Sequence, residues 1–230
     1  MSVLLYSGCS VRTELRRDMT RLWSRVMRQV NPNIDMLLFD SASEYPPETY
    51  IEPGILISHF GDNPGHLSHG GFDGAGRTFF AGIEYAANAG YDYAVTCETD
   101  LLFVRPINEV VERMDSANVK VACLQMNEYR FFEWGFVAIN VAWARDIEWE
   151  QKYDWRNPKP SAIPELRNEW ICGNDLFILP YRGIRNSGPF TDAANLPRLF
   201  PYGPPDWIHE NNAKDLSVMH AFLKLNGMAT

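Results

Sequence analysis

Cysteine is scarce and unpatterned: Cys9, Cys97, Cys123 and Cys172 are the only four in 230 residues, and no two are spaced Cys-x-x-Cys. With Cys97 and Cys123 inside apolar, strand-like runs, reduced thiols in a cytoplasmic compartment are the simplest reading. Long hydrophobic runs are missing too. No apolar stretch approaches the ~20 residues that a membrane-spanning helix needs. Val3-Leu4-Leu5-Tyr6 is too short, and lacks the basic flank, to act as a signal peptide. Positive charge is in deficit, with 21 Lys and Arg against 29 Asp and Glu and a formal charge of −8. That is the wrong sign for holding nucleic acid by phosphate neutralisation, so no nucleic-acid partner is expected. A small anionic ligand remains compatible, provided a divalent cation sits between protein carboxylates and phosphate. The chain has no internal repeat, no low-complexity tract and no shift of composition, which leaves a single domain over residues 1–230 as the reading.

What is abundant is apolar mass. Hydrophobic residues make up 46% and aromatics 13%, enough to bury a core that offsets the ordering entropy of the backbone. Residues 3–7 form an apolar run closed by Gly8. Ser10 and Thr13 then stand as candidate N-caps before Met19, Leu22, Trp23, Val26 and Val30, which recur at steps of three and four on one helical face. Ile34 to Phe39 and Gly54 to Phe60 read as the second and third strands, Ala75 to Ala89 as a helix with Gly90 as its C-cap, and Tyr91 to Cys97 as the fourth strand. Further on, the pattern predicts a short strand at Leu101 to Val104, a helix over Ile107 to Met114, a strand over Val119 to Met126, another over Phe136 to Asn140, and a helix near Trp143. From Glu148 to Trp170 the periodicity fades and Pro158, Pro160 and Pro164 predict a long loop. A helix is expected to begin near Asn174, and a last one over Ala213 to Leu225 after the proline-rich stretch from Gly188 to Asp206. Helices alternating with strands that are apolar on both faces predict an α/β sandwich with a mostly parallel sheet.

Two acids, Glu98 and Asp100, stand where the fourth strand ends. On extended chain, residues i and i+2 point to the same side, so both carboxylates can approach one cation. The carboxyl ends of strands form the ligand crevice of open α/β sheets, and oxygen ligands suit Mg²⁺ or Mn²⁺ bridging two phosphates. Taken alone, the three letters fit an ordinary polar strand exit as well. Arg77 opens the helix before this motif, so its guanidinium and the helix N-terminus can both face a diphosphate; a surface arginine is the plainer alternative. Gly70, Gly71, Gly74 and Gly76 allow close backbone approach but match neither the P-loop nor the G-x-G-x-x-G spacing, so neither ATP nor a dinucleotide is indicated. His66 and His69 lie in that loop without an H-E-x-x-H pattern, which argues against a zinc centre. The first helix carries Arg12, Arg16, Arg17, Arg21, Arg25 and Arg28, usually the sign of a solvated face, with peripheral docking on an anionic membrane as the minority reading.

The run from Gly82 to Pro106 joins an amphipathic helix, Gly90-Tyr91-Asp92-Tyr93, a buried strand, the acidic pair and Leu-Leu-Phe-Val-Arg-Pro. It resembles the DXD region of the metal-dependent nucleotide-sugar glycosyltransferases of the GT-A fold, and Trp134 to Asn140 is similar to that family's next strand. The resemblance implies a GT-A α/β/α sandwich with a mixed, mostly parallel sheet. It also implies a nucleoside-diphosphate-sugar donor such as a UDP- or GDP-sugar, Mn²⁺ or Mg²⁺ as cofactor, and a glycan, glycolipid or other hydroxyl acceptor, as in polysaccharide biosynthesis. Asp100 matches the direct metal ligand; Glu98 stands where the family most often has Asp and would contact the metal or the ribose, with Thr99 between them. By the same resemblance Asp40, Ser7 and Gly8 would face the nucleotide base. Asp175 would deprotonate the acceptor hydroxyl, its plainer reading being a carboxylate at a helix N-terminus. His220 would complete the metal shell, with His209 as the competing and less favoured candidate. Trp134 and Trp170 would stack on an acceptor sugar unless they serve the core, and His66 and His69 would line the sugar pocket.

These expectations add up to transfer of a hexosyl or pentosyl group from a nucleotide-sugar to a hydroxyl. A sugar nucleotidyltransferase ranks second, because its Gly-rich, Arg-containing signature after the first strand is replaced here by Gly8-Cys9-Ser10-Val11-Arg12. A non-catalytic nucleotide-sugar-binding subunit is the third reading.

Overall fold

The structure, a computed structural model, describes residues 1–65, 73–126, 131–156, 164–185 and 200–229. His66, His69, Gly70, Gly71, Pro158, Pro160 and most of the proline-rich stretch after Gly188 lie outside the described residues. The chain opens with β1 (Val3–Cys9), α1 (Glu14–Val30), β2 (Asp35–Ser41), β3 (Leu56–Phe60), α2 (Gly74–Ala89) and β4 (Tyr93–Cys97). It continues with β5 (Leu101–Phe103), α3 (Ile107–Ala117), β6 (Val121–Met126), β7 (Phe131–Asn140), α4 (Val141–Asp146), α5 (Trp149–Tyr153) and α6 (Pro164–Cys172). The last elements are β8 (Leu176–Ile178), β9 (Gly183–Arg185), β10 (Trp207–His209) and α7 (Ser217–Leu225).

Seven strands form the central sheet in the order β3-β2-β1-β4-β7-β6-β8, and β5, β10 and β9 form a small second sheet. The first four strands run parallel, and β7 is antiparallel to both of its neighbours. Alternate residues of each strand serve opposite faces, which is why the strands read as apolar throughout. Leu5, Leu38, Val95 and Ala138 face the layer of α1, α3 and α7, whereas Leu4, Leu37 and Ala94 face α2, and Val137 and Ile139 face the layer of α2 and α4 to α6. The result is an α/β/α sandwich with a mostly parallel mixed sheet, as expected.

Local chemistry sets where each helix begins. The Thr13 side chain accepts from the Arg16 N–H and caps α1, and Asp73 does the same for α2 through the Gly76 N–H. Gly90 closes α2 at φ 80°, the left-handed geometry that glycine adopts without strain. Gly82 permits the close approach of α2 to β1: a Cβ there would stand 2.0 Å from the Tyr6 ring. The N-terminus of α2 is thereby held at the carboxyl end of the parallel strands.

Two expectations fail. Most of the supposed loop from Glu148 to Trp170 that is described is helical, because α5 is anchored by buried Trp149 and Tyr153 and Pro164 occupies the first position of α6, where a missing N–H costs nothing. The helix expected near Asn174 is a single 3₁₀ turn, Gly173–Asp175, that leads into β8.

Candidate functional site

The chain turns as soon as β4 ends. The Leu101 N–H donates to the Glu98 carbonyl at 3.0 Å, so the acidic pair converges through a tight turn rather than through the alternation of extended chain. Strand β7 runs past the end of β4 and shifts its register with β6 between Cys123 and Leu124, and there the Gly135 carbonyl accepts from the Glu98 N–H at 2.8 Å. Leaving the turn, β5 pairs with β10, with Leu101 opposite His209, while the Glu210 N–H donates to the Asp100 carbonyl at 3.0 Å. This small ladder brings His209 to the acids from far along the chain.

His209 Nε2 lies 3.2 Å from Glu98 Oε2 and 3.2 Å from Asp100 Oδ1. One ligand atom from each of Glu98, Asp100 and His209 falls within 4.8 Å of the other two, and this is a spacing one cation can span. The second Asp100 oxygen accepts from Arg16 Nη1 at 2.6 Å, and Arg16 Nη2 donates to the Asn211 carbonyl at 2.8 Å. Behind His209, Nδ1 lies 3.2 Å from Oε1 of Glu133, a carboxylate with no solvent exposure. The Glu98 side chain is 47% exposed and opens the cluster to solvent, whereas His209 is fully buried.

Burial opposes a charge on His209, but Asp100, Glu133 and Glu98 together outweigh it and hold the imidazole pKa well above its ordinary value. Burial likewise opposes the charge on Asp100 and on Glu133, and in both the His209 imidazole is the leading force that overcomes it and lowers the carboxyl pKa; Arg16 assists at Asp100, and Arg185 at Glu133. Nitrogen groups therefore alternate with the carboxylates, His209 between Asp100 and Glu133 and Arg16 on the far side of Asp100.

The other residues singled out from the sequence fare unevenly. His220, the favoured third ligand, is half-buried on α7, and the histidine that meets Glu98 and Asp100 is His209. Asp175 stands at the wrong end of the sheet. Its carbonyl accepts from the Lys120 N–H, the Lys120 carbonyl accepts from the Asn140 N–H, and Asn140 is opposite Tyr93 at the start of β4. Five residues along the strand and three strands across put Asp175 roughly 20 Å from Glu98, too far to serve the same reaction. Trp170 is 82% exposed on α6, five residues before Asp175, and Trp134 packs with Phe132 in the core facing α4 to α6.

Asp40 does lie at the carboxyl end of β2, but it is already engaged. Oδ1 accepts from the Ser43 N–H at 3.2 Å and from the Cys9 thiol at 3.6 Å, and Oδ2 faces His59 Nδ1 at 3.1 Å. Arg77 is at the N-terminus of α2 as expected. Its guanidinium is spent on Asp62 Oδ1 (2.6 Å), the Asp62 carbonyl (2.8 Å) and Ser41 Oγ (3.2 Å), and it lies over the Phe60 ring. Ser7 is fully buried, with no hydrogen-bond partner on Oγ, and Gly8 admits Thr78 of α2. Thr99 occupies the turn between the acids, half-buried.

Sequence reasoning missed Arg16 and Glu133. Nothing marks Arg16 among the five arginines of α1, with Arg12, counted with them from the sequence, lying before the Thr13 cap; two of the others are bonded locally, Arg17 to Asp18 and Arg28 to the carbonyls of Ile34 and Gly54. Glu133 did carry a signal, a lone charge inside Phe131-Phe132-Glu133-Trp134.

The site thus sits at the carboxyl edge of a seven-stranded mixed sheet, beside a small second sheet, and the fold is the GT-A fold of nucleotide-diphospho-sugar transferases. Among solved structures, the chain is similar to a galactosyltransferase, LgtC, in complex with donor and acceptor sugar analogs, with 11% identity, a TM-score of 0.61, and coverage of 100% of this chain and 97% of that one. It is also similar to a putative nucleotide-diphospho-sugar transferase from Desulfovibrio desulfuricans G20 (13% identity, TM-score 0.57, covering 99% and 96%). A third likeness is to a glycosyltransferase involved in glycosylation of the major capsid of PBCV-1 (12% identity, TM-score 0.53, covering 99% and 100%). No family model matches the chain. No curated protein matches it in sequence. At these identities the likeness is one of fold.

Proposed function

We propose that this chain is a glycosyltransferase that moves a sugar from a nucleoside-diphosphate-sugar to a hydroxyl acceptor, with Glu98, Asp100 and His209 holding Mn²⁺ or Mg²⁺. The observation that carries the reading is the convergence of these three side chains at the carboxyl edge of the sheet, where open α/β folds bind their ligands. The donor set suits the ion: two carboxylate oxygens and an imidazole nitrogen, one acid open to solvent and the other two groups buried. The cradle around them is tight, since a Cβ on Gly135 would stand 3.0 Å from His209 Cε1 and 3.2 Å from Glu98 Oε2. When bound, such a cation neutralises charge on the departing diphosphate.

The chain's own residues supply the rest. Asp100 is fixed between Arg16 and His209, so its carboxylate does not need to reorganise to meet a ligand. Arg16 is 42% exposed and places a permanent positive charge beside the same cluster, suited to an anionic leaving group. Glu98, from its exposed position, reaches either the cation or a ribose hydroxyl. The acceptor's proton must go to a group other than Asp175. Contact with an anionic membrane by Arg12, Arg21 and Arg25 remains part of the proposal; among the described residues no helix is long and apolar enough to cross a bilayer.

The test is a thermal-shift panel of UDP, GDP and their sugars with and without Mn²⁺. A ligand at a hundred times its Kd should stabilise the wild type by about 2.7 kcal/mol only when the cation is present. Absence of any cation-dependent stabilisation by a nucleoside diphosphate sinks the reading. Release of pyrophosphate from a nucleoside triphosphate and a sugar phosphate would move it to a nucleotidyltransferase.

A further inference from the structure

We propose that Glu133 is a positioning residue whose buried carboxylate keeps the proton of His209 on Nδ1, leaving the Nε2 lone pair aimed at the place where Glu98 and Asp100 meet a cation. The inference rests on the metal-site reading above and adds to it the group that orients the imidazole.

Glu133 is an unusual residue to find where it is. Its side chain has no solvent exposure, it is the one charged residue of its strand, and a carboxylate without water persists only where other groups compensate it. Oε1 accepts from the Gly135 N–H at 2.9 Å and lies 3.5 Å from Arg185 Nη1. The same oxygen is 3.2 Å from His209 Nδ1, yet that nitrogen lacks an aligned hydrogen bond and the other oxygen, Oε2, has no partner. An unsatisfied imidazole nitrogen and an unsatisfied carboxylate oxygen thus lie side by side, both shielded from solvent.

The imidazole is constrained from the other side as well. Nε2 faces Glu98 Oε2 and Asp100 Oδ1 at 3.2 Å each, so a neutral ring with its proton on Nε2 would point an N–H into the cation's place. A carboxylate at Nδ1 selects the opposite tautomer, the arrangement that orients metal-binding histidines generally. Gly135 completes the arrangement. A Cβ there would stand 3.0 Å from Glu133 Oε1 and 3.0 Å from His209 Cε1, so the absence of a side chain is what lets the pair meet.

The test compares wild type, Glu133→Gln and Asp100→Asn. Glutamine keeps the shape but can offer an amide N–H to Nδ1, which favours the wrong tautomer. Mn²⁺ affinity, read from the paramagnetic resonance signal of the free ion, should fall by about 10- to 100-fold in Glu133→Gln. Nitrogen-detected NMR of the Mg²⁺-loaded wild type should show His209 protonated on Nδ1. Glu133→Gln binding Mn²⁺ within about twofold of wild type, while Asp100→Asn loses it, overturns the positioning role and leaves the metal site standing. A wild type that binds no Mn²⁺ overturns both. Should Glu133→Gln fail to fold, the wild-type spectrum decides: a proton on Nε2 of the loaded protein refutes the proposal.

Discussion

The carboxyl edge of the sheet holds two clusters of acids and histidine, and they are put together on opposite principles. Around Asp40, at the ends of β1, β2 and β3, both Asp40 oxygens already have a protein partner, and the histidine involved, His59, joins Asp40 to Glu48 through its two ring nitrogens at 3.1 and 2.6 Å. Around Glu98 and Asp100, the acceptor oxygens outnumber the donors: Asp100 is clamped, Glu98 is half open, and a buried imidazole sits between them. The first arrangement ties three strands together; the second leaves charge to be answered by a ligand. Residue type does not tell the two apart, since both are built from Asp, Glu and His.

The largest effect that sharpens this contrast is expected from Asp100→Asn. It should lower Mn²⁺ and nucleoside-diphosphate affinity by at least ~100-fold, about 2.7 kcal/mol, and leave the circular dichroism spectrum unchanged. Asp40→Ala should do the reverse. Stranding the Ser43 N–H, His59 and the Cys9 thiol costs about 2–3 kcal/mol in a chemical denaturation curve, with Mn²⁺ affinity near that of the wild type. If Asp40→Ala abolishes nucleotide binding without loss of stability, the contrast is broken and the base-binding role returns.

A smaller effect is expected from Gly135→Ala. The added methyl meets Glu133 Oε1, His209 Cε1 and Glu98 Oε2 at 3.0 to 3.2 Å, so the three groups must give by a few tenths of an ångström. Mn²⁺ affinity should drop roughly tenfold, about 1.4 kcal/mol, in the same titration. Smaller still is the pH response of the other cluster. Asp40 and then Glu48 raise the His59 pKa above its ordinary value against a slight opposing effect of burial. The sign follows: the pairing stabilises fully below the unfolded pKa of ~6.5 and is lost as pH rises through the higher folded value. His59 is 52% exposed, so solvent screens most of the gain, and the stability gap between wild type and His59→Gln should be a few tenths of a kcal/mol at pH 5.5 and close as pH rises through the raised folded pKa.

The fold was legible where periodicity was long. Helix α1 announced itself through Met19, Leu22, Trp23 and Val26 with Thr13 in front, and the first four strands through apolar runs that end at Gly or at an acid. Illegible were the elements held by partners rather than by pattern. Strands β9 and β10 have three residues each; β10 exists because β5 is there to pair with, and β9 because β10 is. Helix α6 was hidden by Pro164, which breaks a helix interior but fits its first position. The same limit governs the site. Glu98 and Asp100 are two residues apart, so one segment revealed them. His209, Arg16 and Glu133 arrive on β10, α1 and β7, and only the register of those strands and the pitch of that helix put them together.

Asp175 is the residue for which sequence resemblance and structure disagree most, and its substitution should do least. As an acceptor-activating base it would have to reach a hydroxyl held within a few ångströms of the sugar at Glu98 and Asp100. The sheet register carries it instead level with the amino end of β4 and three strands across, about 20 Å away, on an exposed 3₁₀ turn whose backbone serves Lys120. No rotamer of a two-carbon side chain spans that gap. Asp175→Asn is therefore expected to leave kcat and KM for donor within about twofold of wild type, and stability within ±0.5 kcal/mol, as for a surface residue. A hundredfold fall in kcat with an unchanged denaturation curve would mean that the chemistry takes place at the far end of the sheet, and that the cluster around His209 binds a cation for some other purpose.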